Sequence, residues 1–259
     1  MPSWIADLVH LEGDPDGYRA TATMGSDGRL FGGLIAAQSL AAAGATVEPG
    51  RQPQSLHAYF IKGGRVGVDM VYTVERTRDG RSFDTRQVTA RQDGVPILEM
   101  LASFHRPEAT LDWQQPHEAG LALAEADTEI RPPEDWTRFL EYRTAGGDPD
   151  GWPHHPYWFR SREPIEDDPL LRACALTYVS DLGMVDVARP PGQFRPGPGG
   201  AATLDHSLWL HRPLDPHQWH RYDATGVSHS DARGMAFGSI RDESGRLVAS
   251  AAQESLWRI

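Results

Sequence analysis

Three polar residues in the C-terminal half stand where the surrounding pattern calls for apolar ones. Asp181 lies within the apolar, helix-like run Pro169–Val185, and Gln253 interrupts the small apolar residues that end at Ala252. A buried carboxylate or amide must be hydrogen-bonded or functional, although Asp181 could also lie on a solvated face or cap a helix end. Thr203 opens a strand-like run, where threonine is ordinarily just a good strand former. These residues are the first candidates for chemistry.

Familiar catalytic and ligand-binding motifs are missing from the sequence. It has neither the Gly-x-Ser-x-Gly turn of serine hydrolases nor a glycine-rich phosphate-binding loop. The single cysteine, Cys174, has Ala and Leu neighbours, which is typical of a buried and inert thiol. Five histidines gather in the second half, and their spacing favours surface or capping positions over a zinc site: His206, His211, His217, His220 and His229. We therefore expect neither a metal nor an organic cofactor.

Composition excludes several classes of protein. With 25 basic and 36 acidic residues among 259, the net charge is -11, which argues against binding to nucleic acids or anionic membranes. A single cysteine excludes a disulfide framework, and no apolar run approaches the roughly 20 residues of a membrane span. Because no signal peptide is visible, a cytoplasmic location is expected. Every basic residue except Lys62 is arginine, so an anionic ligand would be held mainly by arginine.

The two halves of the chain show the same order of elements. In the first half, the Ala/Leu-rich run Leu34–Ala43 predicts a buried helix. Strand-like runs separated by Asp-Gly turns then predict an antiparallel sheet from Ser55–Lys62, Val66–Thr77, Ser82–Arg91 and Val95–Phe104. The second half predicts a helix over Pro169–Val185 and strands over Ala202–His211, Trp219–Gly226, Ala232–Asp242 and Arg246–Trp257. Between the halves, residues 106–167 are rich in Pro, Asp, Glu and Trp and indicate a linker that opens the second unit.

Residue correspondences indicate an internal duplication. Arg91-Gln-Asp-Gly matches Arg241-Asp-Glu-Ser-Gly, and Ser55-Leu-His-Ala matches Thr203-Leu-Asp-His. Both pairs are separated by about 150 residues, as expected for two copies of one unit. We predict an α+β protein with units at residues 1–107 and 156–259, joined by residues 108–155. Each unit is too small to bury both its sheet and its helix alone, so the two would close against one another.

Seven motifs occur together in an order that is similar to one known family. They are Phe31-Gly-Gly-Leu-Ile-Ala-Ala-Gln38, His57-Ala-Tyr-Phe60, Arg78-Asp-Gly-Arg-Ser-Phe83, Ala102-Ser-Phe104, Thr203-Leu-Asp-His-Ser-Leu-Trp209, His211-Arg-Pro213 and Ala252-Gln-Glu254. On these motifs the sequence resembles the acyl-CoA thioesterase II family, over both halves but not through the middle. The resemblance implies a double hotdog fold, in which two antiparallel sheets, each wrapped round a central helix, lie side by side in one chain.

The resemblance also implies roles for single residues. In that family an Asp, a Thr and a Gln hold and activate the water that attacks the thioester carbonyl, and the matching residues are Asp181, Thr203 and Gln253. Asp181 would be the general base, while the other two would orient the water. Candidates from the first half for binding the oxyanion or the substrate are Gly32, Gly33, Gln38 and His57. Ala102 stands where the second half has Gln253, so the halves are expected to divide these tasks.

The expected activity is hydrolysis of acyl-CoA to a free fatty acid and CoA without a cofactor. Arginines would meet the CoA phosphates, and the candidates are Arg65, Arg76, Arg78, Arg81 and Arg233, for each of which a solvated strand end is the alternative. The resemblance implies a homodimer or homotetramer. Two alternatives stay open: a non-catalytic acyl-CoA-binding protein, which would not need the three polar residues, and a hotdog hydratase or dehydratase, whose usual Asn-Pro-x-His setting is missing.

Overall fold

The structure of the protein, a computed structural model, describes residues 2–14, 17–21, 23–26, 28–116, 120–132, 134–146, 154–193, 196–197 and 200–259. The helices are α1 (Trp4–Leu8), α2 (Gly32–Gly44), α3 (Pro169–Ser180) and α4 (Met184–Val187). The strands of the first half are β1 (Tyr18–Thr21), β2 (Gly25–Ser26), β3 (Arg29–Leu30), β4 (Gln52–Phe60), β5 (Asp69–Asp79), β6 (Phe83–Gln92) and β7 (Val95–His105). Those that follow are β8 (Thr128–Ile130), β9 (Leu140–Thr144), β10 (Tyr157–Ser161), β11 (Ala201–Thr203), β12 (Asp205–Leu210), β13 (His220–Ser230), β14 (Arg233–Asp242) and β15 (Leu247–Trp257).

The helix predicted in the first half is α2, which is buried from Gly33 to Ala43 because nearly all of its residues are small or apolar. It packs antiparallel against α3. The first residues of α2 lie beside the end of α3, and Gly44 at its other end lies against Leu170. At Gly33 a Cβ atom would stand only 2.6 Å from the Tyr178 carbonyl oxygen, so glycine permits this close approach.

The helix predicted over Pro169–Val185 is interrupted, so that part of the prediction is wrong. Asp168 caps the start of α3 by accepting hydrogen bonds from the backbone of Leu170 and Leu171. The helix ends at Ser180, Asp181 is its C-cap residue, and Gly183 adopts the left-handed conformation with φ of 78° before α4 begins. Asp181 therefore leaves the helix at its end rather than projecting from its middle.

The sheet strands of the two halves form one continuous antiparallel sheet. Its order is β1-β5-β6-β7-β4-β12-β15-β14-β13-β10-β9-β8, with β11 paired to β15 beside β12. The halves meet where β4 pairs with β12, and there Leu56 faces Leu208 in the core. The predicted Asp-Gly turn between β6 and β7 is confirmed, since Asp93 and Gly94 have φ of 49° and 77°. Each half wraps its strands round one central helix, as the predicted α+β double hotdog requires.

Two details of the second half differ from the sequence prediction. The stretch predicted to be a linker supplies β8 and β9, which extend the sheet from β10. The strand predicted over Ala202–His211 is broken at Leu204, whose N–H donates to the Glu254 carbonyl and whose carbonyl accepts from Phe60. Thr203 thus ends one short strand just before the next begins. The unit boundaries at residues 107 and 155 stay predictions.

In the parts of the chain described above, every helix is too short or too polar to cross a membrane.

Candidate active site

The structure brings together the three polar residues singled out in the sequence. Asp181 comes from the end of α3, Thr203 from the end of β11, and Gln253 from β15. The Thr203 hydroxyl donates to Asp181 Oδ1 at 3.3 Å, and Gln253 Nε2 donates to Thr203 Oγ1 at 3.3 Å. Pairing of β11 with β15 sets this contact, because Thr203 lies opposite Ser255, two residues along the strand from Gln253.

The N-terminus of α2 holds the Asp181 carboxylate from the other side. The backbone N–H of Gly33 donates to it. At Gly32 a Cβ atom would stand 2.8 Å from Asp181 Oδ2, so a residue with a side chain would push the carboxylate away. The first amides of a helix lack intrahelical acceptors and carry positive partial charge, which suits a carboxylate or an oxyanion. The glycine pair of the first half therefore contacts Asp181 of the second half.

The electrostatics of Asp181 suit a proton acceptor. Burial raises the pKa of its carboxyl from 3.8 to about 7, while the hydrogen bonds from Gly33 and Thr203 oppose that rise. A general base works best when its pKa lies near the operating pH, because it is then available yet basic enough to take a proton. Asp181 meets this condition.

Asp181 and Thr203 line a cavity of about 710 Å³ between the two halves. Part of its wall is apolar and includes Phe31, Ile35, Phe60, Trp136, Leu182 and Leu204. Cationic side chains stand on the same wall at exposed positions, namely Arg29, Lys62 and Arg65. Gln253 is completely buried, so it contacts Thr203 from behind rather than facing the cavity. The cavity thus joins an apolar region, an acid–base group and a cationic region.

His206 is a part of the site that sequence reasoning missed. It is 1% exposed, and its two ring nitrogens lie 2.8 Å from Ser180 Oγ and 2.8 Å from Gln253 Oε1. The predicted surface or capping position is therefore wrong for His206, and also for His220, which is equally buried. The signal was present, since His206 alternates in phase with the buried Leu208 along β12 and side chains two apart share a face.

Gln38 and His57 lie away from this group of residues. Gln38 is enclosed in the core, where Nε2 donates to the Leu8 carbonyl at 2.7 Å and Oε1 accepts from the Tyr72 hydroxyl. His57 is exposed on the outer face of β4, with Nδ1 3.0 Å from Ser207 Oγ. Neither side chain lines the cavity, so the geometry gives no support to their predicted part in binding the substrate.

The structure also places the arginines and the cysteine considered in the sequence analysis. Of the arginines suggested for phosphate binding, Arg65 lines the cavity, whereas the others lie outside its wall: Arg76, Arg78, Arg81 and Arg233. Cys174 is fully buried, which raises the pKa of its thiol well above the usual range and leaves it unreactive. Within the described part of the chain, His, Cys, Asp and Glu side chains form no cluster of three or more that could hold a metal ion.

Comparison with known proteins identifies the family of the chain. Residues 20–105 match the acyl-CoA thioesterase N-terminal domain family, and residues 107–257 match the acyl-CoA thioesterase C-terminal domain family. Acyl-CoA thioesterase 2 of Haemophilus influenzae is 31% identical, and the alignment covers 89% of this chain and 88% of that protein.

Solved structures show the same fold. The acyl-CoA thioesterase II TesB2 of Mycobacterium marinum superposes with a TM-score of 0.81 at 33% identity, covering 98% of this chain and 96% of the other. A protein of hot dog fold from Alicyclobacillus acidocaldarius superposes with a TM-score of 0.79 at 19% identity, covering 100% and 99%. At that identity the second likeness speaks for the fold alone. Together with the family matches across both halves, these findings show that the chain belongs to the acyl-CoA thioesterase II family and is a thioester hydrolase.

Proposed function

We propose that the protein hydrolyses acyl-CoA thioesters by direct attack of a water molecule that Asp181 activates. The observation that carries this proposal is the hydrogen-bonded pair Asp181–Thr203 on the wall of a cavity large enough for part of an acyl-CoA, with the N-terminus of α2 beside it and Gln253 buried behind it. A thioester carbonyl is reactive enough that a well-aimed water needs no covalent intermediate.

The reaction divides into two proton transfers through Asp181. As the water oxygen bonds to the carbonyl carbon, one water proton passes to the Asp181 carboxylate and the carbonyl π electrons move to oxygen. When the tetrahedral intermediate collapses, the carbon–sulfur bond breaks and the proton returns from Asp181 to the departing CoA sulfur. The products are a fatty acid and CoA. Thr203, which faces the cavity, orients the water, and Gln253 holds Thr203 in place.

The negative charge that develops on the carbonyl oxygen needs donors already in place. The Gly33 amide donates to Asp181, so we assign the oxyanion to the neighbouring amide of Gly32, the first residue of α2. The helix N-terminus then adds its positive partial charge to that hydrogen bond.

The cationic and apolar parts of the cavity wall indicate the orientation in which the substrate binds. CoA carries phosphates, and the cationic side chains Arg29, Lys62 and Arg65 stand at exposed positions of the wall. We place the phosphates there and the acyl chain against Ile35 and Phe60. The only lysine of the chain thus joins the arginines expected to meet the anion.

The predicted homodimer or homotetramer also remains a proposal, and we place the contact on the outer face of the sheet. A row of residues facing one another across six strands, β6 to β14, holds no Asp, Glu, Lys or Arg: Gln87, Leu101, His57, Ser207, Ala252 and Phe237. The row is centred on the junction between the two similar halves, so a two-fold axis there would place the face against its own copy. Light scattering should show a smaller particle for Phe237→Asp than for wild type.

The cytoplasmic location likewise stays a prediction.

Free CoA release from a panel of acyl-CoAs of different chain length tests the proposed reaction. Wild type should release the thiol, and Asp181→Ala should lose most of that activity while still binding acyl-CoA. Asp127→Ala is the control, because Asp127 is exposed in the segment between the halves, away from the cavity. Binding without thiol release from any chain length by wild type would overturn the proposal. Full activity of Asp181→Ala would overturn the assignment of the base.

A further inference from the structure

His206 connects the end of α3 to the strand that carries Gln253. Its Nε2 lies 2.8 Å from the Oγ atom of Ser180, the residue directly before Asp181 in the chain. Its Nδ1 lies 2.8 Å from Gln253 Oε1. Both partners are completely buried, and His206 itself does not line the cavity. It therefore cannot touch the substrate, but it contacts two of the elements that build the site.

The imidazole of His206 is neutral at physiological pH. Burial lowers its pKa to about 4, although the hydrogen bond with Gln253 and the charge of Asp205 oppose this. A neutral imidazole has one nitrogen that donates a hydrogen bond and one that accepts. The position of the ring proton therefore decides whether the oxygen or the nitrogen of the Gln253 amide can face Nδ1.

The direction of the hydrogen bonds follows from the charge of Asp181. An ionised carboxylate can only accept, so the single hydrogen of the Thr203 hydroxyl points to Asp181. Thr203 Oγ1 must then accept from Gln253 Nε2, which leaves Gln253 Oε1 facing His206. Since Oε1 also accepts only, His206 Nδ1 must donate to it, and Nε2 must accept from the Ser180 hydroxyl.

The other tautomer reverses this chain. Ser180 Oγ also lies 2.9 Å from the Thr177 carbonyl, so its single hydrogen has two possible acceptors. With the proton on Nε2 that hydrogen would go to Thr177, and the bare Nδ1 would attract the amide nitrogen of Gln253. The amide would turn over, and its oxygen would draw the Thr203 hydrogen away from Asp181. Asp181 would then lose one of the two hydrogen bonds that keep its carboxylate in place.

We propose that His206, carrying its proton on Nδ1, is a positioning residue that fixes the amide orientation of Gln253 and thereby directs the Thr203 hydroxyl toward Asp181. This inference rests on the proposed function for its catalytic meaning, but its structural content, the tautomer and the amide orientation, does not. The two can therefore fail separately.

Nitrogen-15 NMR of the histidine side chains in the wild-type protein at pH 8.5 tests the structural content. The ring nitrogen that bears the proton resonates far from the bare one, and the signals of His206 among the 11 histidines are identified by their loss in His206→Asn. We expect the proton on Nδ1. A proton on Nε2 would overturn the inference whether or not the protein hydrolyses acyl-CoA.

Variants that imitate one ring nitrogen at a time test the catalytic meaning. The amide nitrogen of asparagine falls near the position of Nδ1, whereas that of glutamine falls near Nε2. We expect His206→Asn to keep kcat within about 3-fold, and His206→Gln and His206→Leu to lower kcat about 10- to 100-fold with little change in KM. In a Gln253→Ala background, adding His206→Leu should lower kcat by less than a further factor of about 3.

A merely structural histidine would give a different pattern. Equal losses in His206→Asn and His206→Leu, tracking losses of thermal stability, would overturn the positioning role, as would full additivity with Gln253→Ala. If wild type itself released no CoA, the proposed function would fail, while the NMR result would still decide the tautomer.

Discussion

Replacing Asp181 with asparagine should make the protein more stable at neutral pH while it removes most of the activity. Burial raises the pKa of this carboxyl from 3.8 to about 7. Because one pKa unit corresponds to about 1.4 kcal/mol, keeping the carboxylate ionised in the folded protein costs about 4 kcal/mol above pH 7. Asparagine has nearly the same shape but carries no charge, and its single oxygen can take the place of Oδ1, which accepts from Thr203.

The gain in stability should depend on pH in a defined direction. Between about pH 4 and pH 7 the folded wild type binds a proton at Asp181 that the unfolded chain has released, so the free energy of unfolding of wild type falls as pH rises through this window. The asparagine variant lacks this titration. Its advantage should be absent below about pH 4, grow to at most about 4 kcal/mol near pH 7, and stay constant above.

Urea unfolding of both proteins from pH 4 to pH 9 measures this difference, with the exposed Asp127→Asn as control. In parallel, kcat/KM of wild type should rise with pH and level off above about 7, because the base must be ionised, and Asp181→Asn should lower it about 10²- to 10⁴-fold. A difference in unfolding free energy that does not change with pH would refute the desolvation of Asp181. Wild-type activity in Asp181→Asn would refute its role as base.

Other substitutions test the surroundings of the site. Thr203→Val keeps the side-chain shape but removes the hydroxyl, so kcat should fall about 10-fold or more with little change in KM. A rise in KM by the same factor as the fall in kcat would contradict the role of Thr203 in orienting water. Gly32→Ala places a Cβ atom 2.8 Å from the carboxylate and should lower kcat, whereas Gly17→Ala, whose Cβ would meet only Val71 at 3.8 Å, should not. Replacing both Lys62 and Arg29 by glutamine should raise KM about 3- to 10-fold at unchanged kcat, with less effect at high salt. An unchanged KM would place the CoA phosphates elsewhere.

Much of the fold could be predicted because it depends on local patterns. The apolar run that forms α2 and the alternating runs that form β5, β6 and β7 carry their own signals, and repetition of the order in the second half implied two similar units. The interruption after Ser180 could also have been read from Gly183, since a glycine after a helix commonly adopts the left-handed conformation that ends it.

Other elements lacked a local signal. Strands β8 and β9 are only three and five residues long and lie in a segment rich in proline and charge. They are held by the pairing of β9 with β10 and of β8 with β9. Gln38 seemed a candidate for the site because its amide stands in a helix of almost entirely small and apolar residues. Its partners are Leu8 and Tyr72, and nothing in the helix itself reveals them.

The sequence by itself determined which chemical groups are available and which general arrangement carries them. Thr203, Gln253 and the pair Gly32-Gly33 stand in motifs that already indicated a thioesterase of the double hotdog type, and Asp181 was matched through that resemblance. Only the tertiary structure decided that side chains 22 and 50 residues apart come within 3.3 Å, and that His206 lies behind them. It also decided the proton affinity of Asp181, because desolvation depends on neighbours that reach the carboxylate from α2 in the other half of the chain.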